Sequence, residues 1–462
     1  MEAISGYKSR FFLVWASEFT LIFLSAIAAA SIRLHFDNGN IQYYDPYFVK
    51  TSVLTITYVI YFYYFDLYTP EMYRPSRAMF TKLMSASVLA TVTLLSIFYM
   101  VPSLKTWRGI LLIDTMMLPP LILLWRLLFS KVKSLNLPSK RVLIIGSGDL
   151  AKKIGGVIHR QSEYGFQLAG FIDDDPSKLG VSIVNPGVVG GYGDIGRVVV
   201  ADNISMIIVA LPDRRAKLPM SALLDCKLKG ISVVEGETFN ERLTGNIPLD
   251  HLKPSWMVFS DGFQSLRSRK IVKRSFDLVL AVICLIFSAP LMLLTAILVK
   301  LESRGPAVFS QIRVGENGKD FKIYKFRSMR QNAEASTGPV WANATDNRVT
   351  RVGRVIRKIR FDELPQIINI LRGDMSFVGP RPERPFFVSQ LKEKIPYYEM
   401  RTVVKPGLTG WAQIKYPYGA TEQDALEKLQ YDIYYIKNMS PLLDLLIFFW
   451  TIKVVLTGKG AR

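Results

Sequence analysis

Residues 361–383 read FDELPQIINILRGDMSFVGPRPE, which sets the carboxylates Asp362 and Glu363 just ahead of an apolar run and holds Arg381 between two prolines. Leu364, Ile367, Ile368 and Leu371 recur at helical spacing, and Pro365 is tolerated only in a first turn, so Asp362 and Glu363 are expected at a helix N-terminus. Free amides and the helix dipole favour an ionised carboxylate there, which suits Asp362 to be an anion, a nucleophile or a metal ligand. Taken alone, the pair reads more simply as an N-cap with a first-turn Glu. The surroundings change that. Upstream, RVTRVGRVIRKIR places Arg348, Arg351, Arg354, Arg357 and Arg360 at mostly helical steps, and KIYKFRSM supplies Lys322, Lys325 and Arg327. Rigid arginines beside carboxylates that can hold a divalent cation make an arrangement for phosphate, with guanidinium forks on its oxygens. The three histidines, His35, His159 and His251, all lie before this region. Phosphoryl transfer needs none, because it runs on positioning and charge neutralisation. In KPGLTGWAQ, residues 405–413, Trp411 is open to two readings, stacking on a base or lying at a lipid interface. Asp432, in YDIYYIKN on an expected helix, reads by itself as a surface residue.

These residues need elements to hold them, and the chain offers three kinds. A length of 462 allows two or three domains. Half the residues are hydrophobic and the mean hydropathy is +0.21, which points to membrane segments beside a soluble portion. The net charge of +20 fits nucleic acid, anionic lipid or a phosphorylated substrate alike. Cys226 and Cys284 are the only cysteines and have no paired spacing, which argues against a disulfide framework or zinc site. Apolar stretches at 11–32, 48–65, 80–101 and 109–129 predict a four-helix transmembrane bundle, residues 1–138, with both ends cytoplasmic by the distribution of Lys and Arg. Glu18, Asp114 and Arg126 fall in or near these spans and read chiefly as packed or snorkelling groups.

From Lys140, KRVLIIGSGDLAKKIGGVI reads as strand, glycine turn and helix, with Gly146 and Gly148 in a G-x-G-x-x-A pattern and Asp173 about 20 residues on, as a dinucleotide fingerprint asks. Strand-like runs at 205–213 and 230–236 extend this to a Rossmann-like α/β domain over 139–262, either structural or nucleotide-binding; no Tyr-x-x-x-Lys pair marks it for redox catalysis. The third part, 263–462, opens on an apolar stretch over about 271–301 interrupted by Pro290 and basic on both flanks. A single crossing would put one basic cluster outside, so a bent, re-entrant helix is expected. The C-terminal run PLLDLLIFFWTIKVVLTGK reads as an interfacial helix.

KIYKFRSM, the arginine run into DELPQ, GDMSFVGPRPE, KPGLTGWAQ and YDIYYIKN, in that order over about 190 residues, resemble the bacterial sugar transferases that are polyprenyl-phosphate hexose-1-phosphate transferases. With the preceding spans and α/β domain, the chain is similar to the long-form members, which begin exopolysaccharide, capsule or O-antigen repeat units. The resemblance implies a mainly α catalytic domain at the bacterial inner membrane, facing the cytoplasm, that moves a sugar 1-phosphate from a UDP-sugar to undecaprenyl phosphate with Mg²⁺ and releases UMP. It implies Asp362 as nucleophile and Glu363 as its partner, both also placed to hold the metal, and Lys325, Arg357, Arg381 and Asp432 as substrate-binding positions. Inner-membrane lipids, a homodimer and downstream glycosyltransferases follow as partners, and nucleic acid does not. Ser288, Ala289 and Pro290 stand where the family has adjacent Ser-Pro, and Ile414 to Pro417 replace its usual Asn-Gly-Arg. Two other readings remain: an NAD-dependent sugar-nucleotide dehydratase or epimerase built on Gly146, Gly148 and Asp173, and a non-catalytic scaffold of polysaccharide assembly.

Overall fold

The computed structural model describes residues 5–36, 47–68, 76–104, 108–132, 140–160, 166–211, 218–249, 262–263, 267–330, 348–416, 419 and 421–457. The chain is mostly helical and divides into two compact units, Met1–Val234 and Glu235–Arg462. Among the described residues, four helical stretches are long and apolar enough to cross a membrane: Trp15–Arg33, Arg77–Met100, Gly109–Leu128 and Ser268–Glu302.

The first three of these belong to α1 (Ser5–Phe36), α3 (Arg77–Met100) and α4 (Arg108–Val132). The expected span at 48–65 forms α2 (Tyr47–Tyr64), which carries tyrosines, threonines and Lys50 and is not among those four stretches; α1 and α3 pack against it and bury Leu54, Tyr58 and Phe62. Buried ionisable groups of the bundle meet partners within it. Arg126 donates to both oxygens of Glu18 at 2.8 and 2.9 Å, and Ser25 donates to Asp114 at 2.8 Å. Pairing offsets the cost of burying such groups and fixes how α1 lies against α4.

The α/β part runs β1 (Lys140–Ile145), α5 (Asp149–Arg160), β2 (Phe166–Ile172), β3 (Val188–Gly190), α6 (Ile195–Ala201), β4 (Met206–Val209), α7 (Met220–Leu228) and β5 (Ser232–Glu235). Its sheet has the order β3-β2-β1-β4-β5, with β1 parallel to both β2 and β4. Central position explains the unbroken apolar run Val142, Leu143, Ile144 and Ile145, all fully buried. Gly146 then leaves the strand at φ +106°, where a Cβ would lie 2.7 Å from the Ala210 carbonyl oxygen, so only glycine fits.

The second unit holds α8 (Gly236–Thr244), α9 (Arg267–Glu302), the antiparallel hairpin β6 (Val308–Val314) and β7 (Asp320–Phe326), α10 (Arg351–Lys358), α11 (Gln366–Arg372), β8 (Ser376–Val378), α12 (Pro385–Lys394), β9 (Gly407–Thr409), α13 (Trp411–Lys415), α14 (Glu422–Asn438) and α15 (Pro441–Thr457). The stretch expected at 271–301 is one helix with Pro290 inside it. Its buried positions, Asp277, Ala281, Thr295 and Val299, fall on one stripe. The first half packs through Ala281 and Leu285 with Ile367 and Ile370 of α11, and the second through Met292 and Val299 with Ile356 of α10. Between them Ile286 and Phe287 stand out at 65% and 77% exposed.

Candidate active site

Asp362 and Glu363 lie in a 3-10 turn, Phe361–Glu363, between α10 and α11. The turn is entered through Arg360 at φ 56°, ψ 22°, a left-handed conformation that costs a non-glycine residue about 1–2 kcal/mol. Strain of this kind gathers at functional sites. Pro365 caps α11, which places the carboxylates one turn ahead of its first residue.

Around the pair stand cations from four segments. Lys325, on β7, donates to Glu363 Oε1 at 3.1 Å. Arg381 donates to the same oxygen at 2.8 Å, and Arg360 Nη1 lies 3.6 Å from Oε2. Arg357, in the last turn of α10, donates to the Ser328 hydroxyl at 2.8 Å. Arg381 follows β8 directly, and Gly379 before it approaches β9 so closely that a Cβ would sit 2.3 Å from the Lys405 carbonyl oxygen. The other end of the Arg381 guanidinium donates to Gln413 Oε1 at 2.9 Å. Gln413 closes KPGLTGWAQ, where its residue type alone gives no sign of this role.

The two carboxylates differ in a way their adjacency conceals. Burial works to raise Glu363, but Arg381, Lys325 and Arg360 outweigh it and hold the group well below the usual carboxylate range. Asp362 is also nearly buried, and among the described residues no hydrogen bond or ion pair engages it. Burial first, and the neighbouring Glu363 charge second, push it up to about 6 against the pull of Lys325, Arg357 and Arg381. Helix amides were expected to favour the Asp362 anion; in the structure loss of water and a like charge prevail over the cations. Among the described residues no cluster of three or more metal-binding side chains exists. The oxygens that could hold a cation are those of Asp362, with Glu363 Oε2 shared with Arg360, a set that fits Mg²⁺ only when substrate phosphates and water complete its shell.

Asp432, on α14, is buried and reaches this group indirectly. It lies 3.1 Å from Arg401 Nη2, and the same nitrogen donates to the Arg381 backbone carbonyl at 3.0 Å. Burial raises Asp432 to about 6 despite Arg401. Arg401 itself, in YYEMRT, carried no sequence signal. Trp411 follows neither of its two readings: it is buried, stacked between Tyr434 and Trp450 at 5.6 and 5.5 Å, and its indole N–H donates to the Gly245 carbonyl at 2.7 Å. Because it also heads the short helix bearing Gln413, Trp411→Ala is expected to lower the unfolding free energy by about 3–5 kcal/mol, read as a fall in Tm. In the α/β part, Asp173 is taken by partners of its own: Ser147 donates to Oδ2, and Lys178 Nζ lies 3.3 Å from both oxygens. Gly148 faces open space.

A profile described as bacterial sugar transferase matches residues 268–458, and one described as CoA-binding domain matches residues 63–219. The UDP-N-acetylgalactosamine-undecaprenyl-phosphate N-acetylgalactosaminephosphotransferase of Aeromonas hydrophila is 49% identical, over 52% of this chain and 56% of its own. The undecaprenyl-phosphate glucose phosphotransferase of Komagataeibacter xylinus is 34% identical, over 70% of this chain and 60% of its own. The chain thus spans less than two thirds of either relative. It spans 98% of the exopolysaccharide production protein PSS of Rhizobium leguminosarum bv. phaseoli, at 39% identity over 41% of this chain. With that relative covered almost end to end, and with the carboxylate pair and its cations inside the matched residues, this chain belongs to the bacterial sugar transferase family.

Proposed function

We propose that this protein transfers a sugar 1-phosphate from a UDP-sugar to undecaprenyl phosphate, releasing UMP, by way of a phosphosugar carried on Asp362. One observation carries the reading: Asp362 is a nearly buried carboxylate under the influence of Lys325, Arg357 and Arg381, and among the described residues no side chain engages it, while Glu363 beside it is held by cations. An Asp362 oxygen attacks the phosphorus that bears the sugar, the bond from that phosphorus to the bridging oxygen breaks, and UMP leaves with the electron pair. A phosphate oxygen of undecaprenyl phosphate then attacks the same phosphorus, and Asp362 departs as a carboxylate. Lys325 and Arg381, fixed on Glu363, supply positive charge beside the diphosphate. A magnesium ion at Asp362 and Glu363 Oε2 would supply charge neutralisation on the diphosphate.

The acceptor is a lipid, so the site belongs at a membrane surface, and two features support a re-entrant α9. Near its start Arg274 donates to the Ile370 and Leu371 carbonyls, and at its end Glu302 accepts from the Arg351 and Val352 amides, so both ends are bound by one unit. A helix that crossed a bilayer about 30 Å thick would separate them. The protruding apolar residues around Phe287 would then enter the inner leaflet from the cytoplasmic side.

The test is release of UMP from a panel of UDP-sugars with undecaprenyl phosphate, headed by the N-acetylgalactosamine and glucose forms that the relatives' names indicate. Activity should show an acid limb near pH 6 as Asp362 takes up its proton, and the limb should persist in Asp432→Asn, whose carboxyl also titrates near 6. A flat profile from pH 5 to 8 would sink the assignment. A nucleotide at Gly146 and Gly148 is a second, separate reading supported by the open space at Gly148. Such a ligand would have to displace Ser147 and Lys178 to reach Asp173.

A further inference from the structure

We propose that Asp277, on membrane helix α9, is a positioning residue that sets Arg381, so that the phosphate-binding arginine is aligned by the helix that enters the lipid. The inference rests on the proposed role of Arg381. Among the described residues strand β8 pairs with β9 on one side only, through Ser376 with Gly407 and Val378 with Thr409. Its other edge would leave backbone groups without partners, and α9 covers it with side chains. Asp277 Oδ1 accepts from the Phe377 amide and from the Ser376 hydroxyl, each at 3.0 Å, and is buried. One turn earlier, Lys273 donates to the Val378 carbonyl at 3.0 Å and is itself held by Asp444 at 2.8 Å. All three residues of β8 are thereby tied to two successive turns of α9. Gly379, Pro380 and Arg381 follow at once, with a proline on each side of the arginine to carry the placement forward. Between Lys273 and Asp277, Arg274 holds the C-terminal carbonyls of α11, behind Asp362 and Glu363. One end of one helix therefore fixes both the arginine and the carboxylates relative to the membrane.

The test is a double-mutant cycle on UMP release by the full chain in lipid nanodiscs. Asp277→Ala should lower kcat/KM by roughly ten- to a hundredfold, the scale of a small misplacement of a catalytic group. Asp277→Asn, which keeps an acceptor oxygen for Ser376 and Phe377, should restore activity to within about threefold of the parent. In an Arg381→Lys background Asp277→Ala should cost less than about threefold further, because the group it positions is already compromised. If the two losses multiply, or if Asp277→Asn is as impaired as the alanine variant, Asp277 has only a general structural role and the proposal fails. Asp277→Ser serves the same cycle if the alanine variant does not fold. Arg381→Lys alone separates the two levels: full activity there overturns the role of Arg381 itself, whereas a loss there with multiplying effects overturns only the link to α9.

Discussion

Asp362→Asn is expected to abolish transfer, with kcat falling by a factor on the order of 10⁴ or more, as removal of a nucleophile does. The amide keeps nearly the shape of the carboxylate but cannot form the acyl phosphate. The same substitution should raise thermal stability at neutral pH. A carboxyl lifted to about 6 in the folded chain from 3.8 contributes stability that is present below the unfolded value and lost as pH rises through 6. At pH 7 the parent protein therefore carries the penalty of a buried anion beside Glu363, and the asparagine variant does not. The gap in Tm should narrow as pH falls through 6 and close only below 3.8, where the aspartate is neutral in the folded and the unfolded chain alike. Loss of activity alone would not distinguish a nucleophile from a metal ligand. Without acceptor lipid the parent should release one burst of UMP, equal in amount to enzyme, and leave a hexose phosphate mass on the peptide that contains Asp362. Full transfer by Asp362→Asn, or no adduct under those conditions, would end the covalent mechanism.

The pattern that led to Asp362 was local, and so it was legible: two carboxylates before an apolar helical face, an arginine run before them and an arginine between prolines after. What the sequence left open depended on partners far along the chain. The division of labour within the pair is set by Lys325, 38 residues upstream of Glu363, and Arg381, 18 residues downstream. Trp411 looked available because its glycine-rich neighbourhood reads as a loop, and only the meeting of α13 with Tyr434 of α14 and Trp450 of α15 buries it. Asp432 reads as a surface residue until Arg401 is placed against it. In the α/β part the strand, turn and helix about Gly146 form as their periodicity and glycines demand, while the capture of Asp173 by Lys178 depends on a short helical turn with no pattern of its own.

Glu363→Gln should lower kcat/KM by about a hundred- to a thousandfold, the scale of losing preorganised charge at a phosphoryl-transfer site, and should also move the pH profile. Both follow from the position of Glu363 as the anion shared by Lys325, Arg381 and Arg360. Glutamine removes a full negative charge and leaves the three cations without the group that holds them together, so their N–H donors no longer converge on one place. The titration of both remaining groups then changes in a fixed direction. Burial is the main cause that raises Asp362 and the Glu363 charge is the next, so without that charge the carboxyl falls and the acid limb moves below 6. Lys325 is already lowered, by burial first, and Glu363 is the principal group opposing that, so its ammonium loses its proton at lower pH still and the alkaline limb descends too. The whole profile should thus slide toward acid, with a maximum at lower pH than in the parent. A variant with reduced activity and unmoved limbs would show that Glu363 only fills space, and that Asp362 takes its altered acidity from burial alone.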